Sequence, residues 1–205
     1  AGPDGWHTAG VPRLGVPAIM MCDGPNGLRK QSKGADMLGF TKSEPATCFP
    51  TESALACSFD PDLIESVGQA LGEEASDAGV SMLLGPGINM KRSPLCGRNF
   101  EYYAEDPYLS GTLAAAHIRG AQSVGVGSSL KHFAGNSQEK ARMTSDSVIS
   151  SRALHEIYLR AFSIAVKQHP MSVMTAYNRL NGVYCSQNSN LITRILREAW
   201  HYDGM

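Results

Sequence analysis

From Val16 to Met205 the chain repeats one pattern: a short apolar run, a polar loop, then apolar residues at helical spacing. Val16–Cys22 reads as a buried strand and Asp23-Gly-Pro-Asn-Gly27 as a turn-rich loop after it. Residues 30–50 have no period and read as a long loop with room for one short helix. Asp60-Pro61 reads as an N-cap followed by Pro at the first helical position. Leu63, Ile64, Val67, Ala70 and Leu71 continue that helix on one face, and Gly79 is its expected stop. Val80–Leu84 is the next strand. A polar loop from Gly85-Pro-Gly87 leads to Asp106-Pro107 and a helix through Leu109, Ala114, His117 and Ile118. Ser128–Phe133 is a third strand, and a second long loop runs to about Ser150. A helix bearing Leu154, Ile157, Tyr158, Ala161, Phe162 and Ala165 follows and ends at His169-Pro170. Ser172–Ala176 is a fourth strand, Asn188–Trp200 a last helix, and Gly204-Met205 the start of a fifth strand.

Strands separated by helices pair in parallel through crossovers. Two architectures satisfy that rule, a doubly wound sheet and a TIM-type (β/α)8 barrel, and both put ligands at the strand C-termini. The loop after the first strand is not GxGxxG, which favours the barrel. A closed barrel takes about 250 residues. The pattern here holds four strand–helix units and the start of a fifth, so residues 1–205 are expected to be an incomplete barrel domain.

Charge narrows the partner. Lys and Arg total 18 and Asp and Glu total 19, a net charge of −1, so no field attracts nucleic acid or an anionic membrane. No apolar run approaches the roughly 18 residues of a membrane span. The five cysteines, Cys22, Cys48, Cys57, Cys96 and Cys185, have no metal-ligand spacing, and neither a metal nor a cofactor is expected. An odd number of thiols without a visible signal peptide favours a reducing compartment, the cytoplasm. A Cys48–Cys57 bridge stays open at this point.

Polar groups gather just after the strands: Asp23, Arg98 with Glu101, Lys131-His132, and Tyr177-Asn178. Each has a plain alternative. Asp23 before glycine suits a turn, Arg98 with Glu101 an ion pair, and Tyr177 barrel packing. Lys131-His132 is harder to explain so, because two cations in a core need partners. Together these groups can hydrogen-bond the hydroxyls of a sugar, each of which both donates and accepts.

The ordered segments Cys22-Asp-Gly-Pro-Asn-Gly-Leu-Arg29, Gly85-Pro-Gly-Ile-Asn-Met through Cys96-Gly-Arg-Asn-Phe-Glu101, Asp106-Pro-Tyr-Leu109, Lys131-His-Phe133 and Val173-Met-Thr-Ala-Tyr-Asn178 resemble glycoside hydrolase family 3. The likeness covers nearly the whole chain. Ala134-Gly-Asn after Lys131-His-Phe133 is closer to the β-glucosidase branch than to the N-acetylglucosaminidase branch.

The resemblance implies retaining hydrolysis that releases a terminal non-reducing β-D-glucosyl residue, and a β-glucoside or short β-linked oligosaccharide as partner. It implies that Asp23, Arg98, Lys131 and His132 bind the sugar hydroxyls. It implies that Arg142 supports the site, that Tyr177 sits beside the reacting carbon, and that Lys131-His132 lies on a stretch with cis peptide bonds. No catalytic carboxylate is expected within the 205 residues. The nucleophile is expected as an Asp a few residues past Met205, since Asp203 occupies the turn before that strand. The acid/base is expected later still, since Glu101, Glu139 and Glu156 lack its context. β-Xylosidase or α-arabinosidase activity of the same family, a sugar-binding barrel without catalysis, and a Schiff-base enzyme using Lys131 are the alternatives.

Overall fold

A computed structural model describes residues 2–24, 26–31 and 42–205. Four strands form a parallel sheet: β1 (Met21–Cys22), β2 (Met82–Leu83), β3 (Gly127–Phe133) and, after the short β4 (Asp146–Ser147), β5 (Ser172–Thr175). Their order is β1-β2-β3-β5, sequential as in a barrel wall. Met205 extends the wall, donating its N–H to Met171 O at 3.0 Å and accepting from Val173 N at 2.9 Å. The first strands are shorter than expected from Val16–Cys22 and Val80–Leu84. Met20 instead bridges His7 in an antiparallel contact, so the apolar run divides between two partners.

The helices are placed as their caps foretell. In α2 (Pro61–Asp77) Asp60 accepts from the N–H groups of Asp62 and Leu63. In α3 (Pro107–Ser123) Asp106 accepts from Leu109 N at 2.6 Å. Gly79 lies just beyond α2 at φ 70°. Within the long loop the part of residues 30–50 that is described has no helix. A short helix, α1 (Glu52–Ala56), begins just after it, and residues 32–41 of that loop lie outside the described residues.

The helix expected over Leu154–Ala165 is compound. It opens as α4 (Ser151–Ala153), widens into a π-helical turn (Leu154–Tyr158), and resumes as α5 (Arg160–Ala165). The last helix, Asn190–Ala199, is π-helical too, and Trp200 N donates to Ile195 O. Tertiary packing overrides the regular repeat here: Leu154, Phe162, Leu191 and Leu196 are all buried against β3 and β5 neighbours in one core. Phe133, at the end of β3, anchors that core edge-on to Phe162, with centroids 5.0 Å apart, and lies near Trp200.

A second sheet was not anticipated. Arg179–Leu180 (β6) and Val183–Tyr184 (β7) form a hairpin across Asn181-Gly182, and β6 pairs in parallel with β4. Both turn residues have positive φ, 51° and 87°, as an Asn-Gly hairpin turn requires. Asn181 also holds Ile149 by both backbone groups, accepting from its N–H at 2.8 Å and donating to its carbonyl at 2.9 Å. Strand β6 begins four residues after the C-terminal end of β5.

Helices α2 and α3 meet through glycines. A methyl on Gly120 would lie 2.1 Å from Glu65 O, and one on Gly68 would lie 2.5 Å from His117 O. Gly120→Ala is therefore expected to destabilise the fold by about 1–3 kcal/mol, measured as a lowered midpoint in chemical denaturation, whereas alanine at Gly79 meets open space and strains only its own φ.

Candidate active site

The site begins with an irregularity in β3. Lys131 pairs with Met174 and Phe133 with Thr175, so His132 is an extra residue opposite a single step of β5. Such a bulge re-aims the side chains beside it. The peptide bonds Lys131–His132 and Phe133–Ala134 are cis, as is Gly85–Pro86. Broken from its ladder, the His132 backbone finds substitutes. Its N–H donates to Asn89 Oδ1 at 2.9 Å, and its carbonyl accepts from Asn89 Nδ2 at 2.8 Å. The segment carrying Asn89 is itself tied to β3, with Lys131 N donating to Pro86 O and Ile88 N to Lys131 O. Asn89 thus satisfies two buried groups that would otherwise be orphaned.

Beside this bulge lies a cavity of about 450 Å³, within the range of small-ligand sites. Asp23, Arg98, Glu101 and Lys131 line it, with Asn26, Arg29 and Phe100. The Glu101 carboxylate is shared: Oε2 meets Lys131 Nζ at 2.9 Å and Oε1 accepts from Arg98 Nε. Lys131 and Glu101 are almost wholly buried, at 3 % and 4 % side-chain exposure. Burial alone would raise the Glu101 pKa, but the charges of Lys131 and Arg98 and their hydrogen bonds hold it below the usual carboxylate value. Glu101 thus pairs with Arg98, as the sequence suggests, and with Lys131 at the same time. Asp23 differs. Among the described residues no side chain or N–H pairs with its half-buried carboxylate.

His132 is buried, and its ring lies against Tyr102, with Nδ1 3.0 Å from the phenolic oxygen. Burial lowers its pKa well below the ordinary value, and the charges of Arg98, Lys131 and Arg142 push the same way, so the ring is neutral. Arg142 and Tyr177 form a separate pair at the flank. The guanidinium lies over the Tyr177 ring, 5.1 Å from its centroid, and donates to Glu139 at 2.9 Å. Tyr177 is half exposed and is not among the cavity's lining residues, whereas Asn178 beside it is buried and donates to backbone carbonyls of Ala134 and Arg179. Of the six residues singled out from sequence, Asp23, Arg98 and Lys131 converge on one cavity, His132 is buried next to Lys131 in the chain and is not among the lining residues, and Arg142 and Tyr177 stand together.

Several participants were missed. Glu52 is fully buried behind the Asp23 loop and accepts from Asn26 Nδ2. Burial pushes its carboxyl up to about 8, reinforced by the Glu101 charge and opposed by Asn26 and Lys131. Tyr102, Asn89 and Asn136 form the layer behind His132. Nothing in a polar loop marks such residues as buried. The other carboxylates lie apart: Asp203 is exposed, 3.9 Å from His169, which precedes β5 at the opposite end of the strands, and Glu156 pairs with Arg152 on a helix surface.

The profile of the glycosyl hydrolase family 3 N terminal domain matches residues 11–205. Thermostable beta-glucosidase B of Acetivibrio thermocellus is 58% identical over 205 residues, all of this chain and 27% of that protein. An exo-alpha-(1->6)-L-arabinopyranosidase of Bifidobacterium longum is 49% identical, again over the whole chain and 27% of its own length. The solved structure of beta-glucosidase 3B from Thermotoga neapolitana in complex with alpha-D-glucose superposes with a TM-score of 0.90 at 49% identity, covering all of this chain and 29% of that one. The chain therefore spans a little over a quarter of the length of these three relatives.

Two outcomes follow from the geometry. Glu101→Ala leaves two buried cations without their shared anion, and a loss of about 3–5 kcal/mol in denaturant-unfolding stability is expected. For Glu52 the folded pKa, about 8, lies above the unfolded 4.5. Its cost to stability is absent below the unfolded value, grows as pH rises, and is complete above the folded one. Relative to Glu52→Gln, the unsubstituted protein should lose stability from pH 4.5 to 8, by no more than about 1.4 kcal/mol per pH unit.

Proposed function

The chain belongs to glycosyl hydrolase family 3, and we propose that it contributes the glucose-binding part of a retaining β-glucosidase. One observation carries this reading: Asp23, whose carboxylate has no partner among the described residues, shares a sugar-sized cavity with Arg98 and Lys131, which share the single carboxylate of Glu101. A neutral polyol suits this arrangement. Its hydroxyls donate to Asp23 and accept from the remaining N–H groups of Lys131 and Arg98. A charged ligand would leave one sign unmatched. The relatives named beta-glucosidase, one of them in complex with alpha-D-glucose, support glucose as the sugar.

Retaining hydrolysis needs two carboxyl groups about 5–5.5 Å apart, one to attack the anomeric carbon and one to protonate the leaving oxygen. In this reading both come from outside the 205 residues, the nucleophile as an Asp soon after Met205. Of the cavity's other carboxylates, Glu101 is engaged by two cations and Glu44 by Lys30 at 3.5 Å, while Asp23 is assigned to the sugar hydroxyls. The 205-residue chain alone then binds sugar without cleaving it. His132 adds a neutral donor to the same terminal sugar, and the Arg142–Tyr177 pair stands on the side of the bond to be cleaved. The five cysteines are free, which supports a reducing, cytoplasmic setting.

The arabinopyranosidase relative favours a second reading on the same scaffold, in which a pentopyranose lacking the hydroxymethyl group is the glycone. The full-length protein is expected to hydrolyse 4-nitrophenyl β-D-glucoside faster than the β-D-xyloside or the α-L-arabinopyranoside, in kcat/KM. The reverse order would move the assignment to the pentose. Asp23→Ala should lower kcat/KM for the glucoside about 100-fold, the loss of two charge-assisted hydrogen bonds.

A further inference from the structure

The tautomer of His132 is set from behind. Asn89, Tyr102 and Asn136 supply the polar atoms on that side of the ring, and the Asn136 amide oxygen has no partner among the described residues. Asn89 Oδ1 accepts the His132 N–H at 2.9 Å and lies 3.2 Å from Nδ1. Tyr102 places its hydroxyl 3.0 Å from Nδ1, and Asn136 Nδ2 donates to that hydroxyl oxygen at 3.3 Å. An oxygen that receives Asn136 directs its own proton elsewhere, and Nδ1 is the acceptor in reach. Were Nδ1 protonated, the phenolic proton would have no acceptor in a site where Tyr102 is fully buried. Burial also raises the Tyr102 pKa, so the phenol keeps its proton to donate.

Tyr102 is fixed in turn by Gly87. A methyl there would lie 2.7 Å from Glu101 O and 2.9 Å from Tyr102 Cδ1, so the absent side chain lets the phenol lie close against the strand. Tyr102 adjoins Glu101 in sequence, and one short segment therefore positions both Lys131 and His132.

We propose that Tyr102, held by Asn136, is a positioning residue that keeps His132 as the Nε2–H tautomer, so that its ring presents a neutral hydrogen-bond donor to a sugar hydroxyl. The ring then differs from its neighbours in kind. Lys131 and Arg98 donate with charge, Asp23 accepts with charge, and His132 donates without charge and needs no counter-ion. The sugar contact rests on the glucosidase reading; the tautomer does not.

The test uses the full-length protein with histidine-selective 15N labelling, the His132 signals being assigned with His132→Gln. In the unsubstituted protein the ring nitrogens should report hydrogen on Nε2. In Tyr102→Phe, Nδ1 gains freedom to donate to Asn89 Oδ1, and the signals should move toward the Nδ1–H form. In parallel, Tyr102→Phe should lower kcat/KM for 4-nitrophenyl β-D-glucoside about 10-fold. It should have little effect on whichever of the 3-, 4- and 6-deoxy analogues is also insensitive to His132→Gln. If Tyr102→Phe does not fold, Asn136→Leu frees the phenolic oxygen to accept and should give the same shift in smaller amount. Nδ1–H in the unsubstituted protein, as a reversed Asn136 amide would produce, overturns the proposal, and so does a tautomer unchanged in both variants. A normal tautomer shift with no glucoside hydrolysis would overturn the glucosidase reading and leave the positioning role standing.

Discussion

The Glu101 carboxylate is the hinge of this structure's chemistry. It lies between Arg98 and Lys131, and without it two cations would be buried against each other. Their meeting ties the loop from Gly85 to Tyr102 to β3 at the edge of the cavity. Glu101 belongs to a 3-10 turn capped by Arg98, so one partner is local and the other arrives from β3. That combination ties a loop to the barrel wall by charge rather than by apolar packing. It also leaves the cavity with partly satisfied cations, which hydrogen-bond a neutral ligand strongly without attracting bulk anions.

The alternation of apolar runs and helical faces was readable because burial on both faces of a parallel strand makes it wholly apolar, while a covering helix keeps one polar face. The caps at Asp60 and Asp106 were readable for the same local reason. The convergence of Asp23, Arg98 and Lys131 was readable because parallel strands bring all their C-terminal ends to one side. What escaped was long-range. Tyr102, Asn89 and Asn136 sit in segments that look like ordinary polar loop, and only the fold buries them together. Glu52 looks like a surface helix residue until the Asp23 loop covers it. The Asn181-Gly182 hairpin carries a local signal in its Asn-Gly dipeptide, which the sequence reading did not use. The widened helical turns at Leu154–Tyr158 and Asn190–Ala199 have no signature in residue type at all.

Two asparagines do the same work in different places. Asn89 pairs with both backbone groups of His132, and Asn181 with both of Ile149. Each replaces a missing strand partner with a side-chain amide, which has the same donor and acceptor spacing as a peptide. The barrel wall can therefore bend sharply beside the site without leaving polar groups dry.

Three of the cavity's charged residues, at positions 23, 98 and 131, come from the end of β1, the loop after β2 and the end of β3. No local element can assemble them; the chain must close loops of tens of residues before the first of these contacts rewards it. Ligand affinity is then a property that appears late in folding and all at once. A bound sugar bridging these segments would act as a cross-link between parts far apart in the chain, and would stabilise the domain as a whole more than any one of its elements.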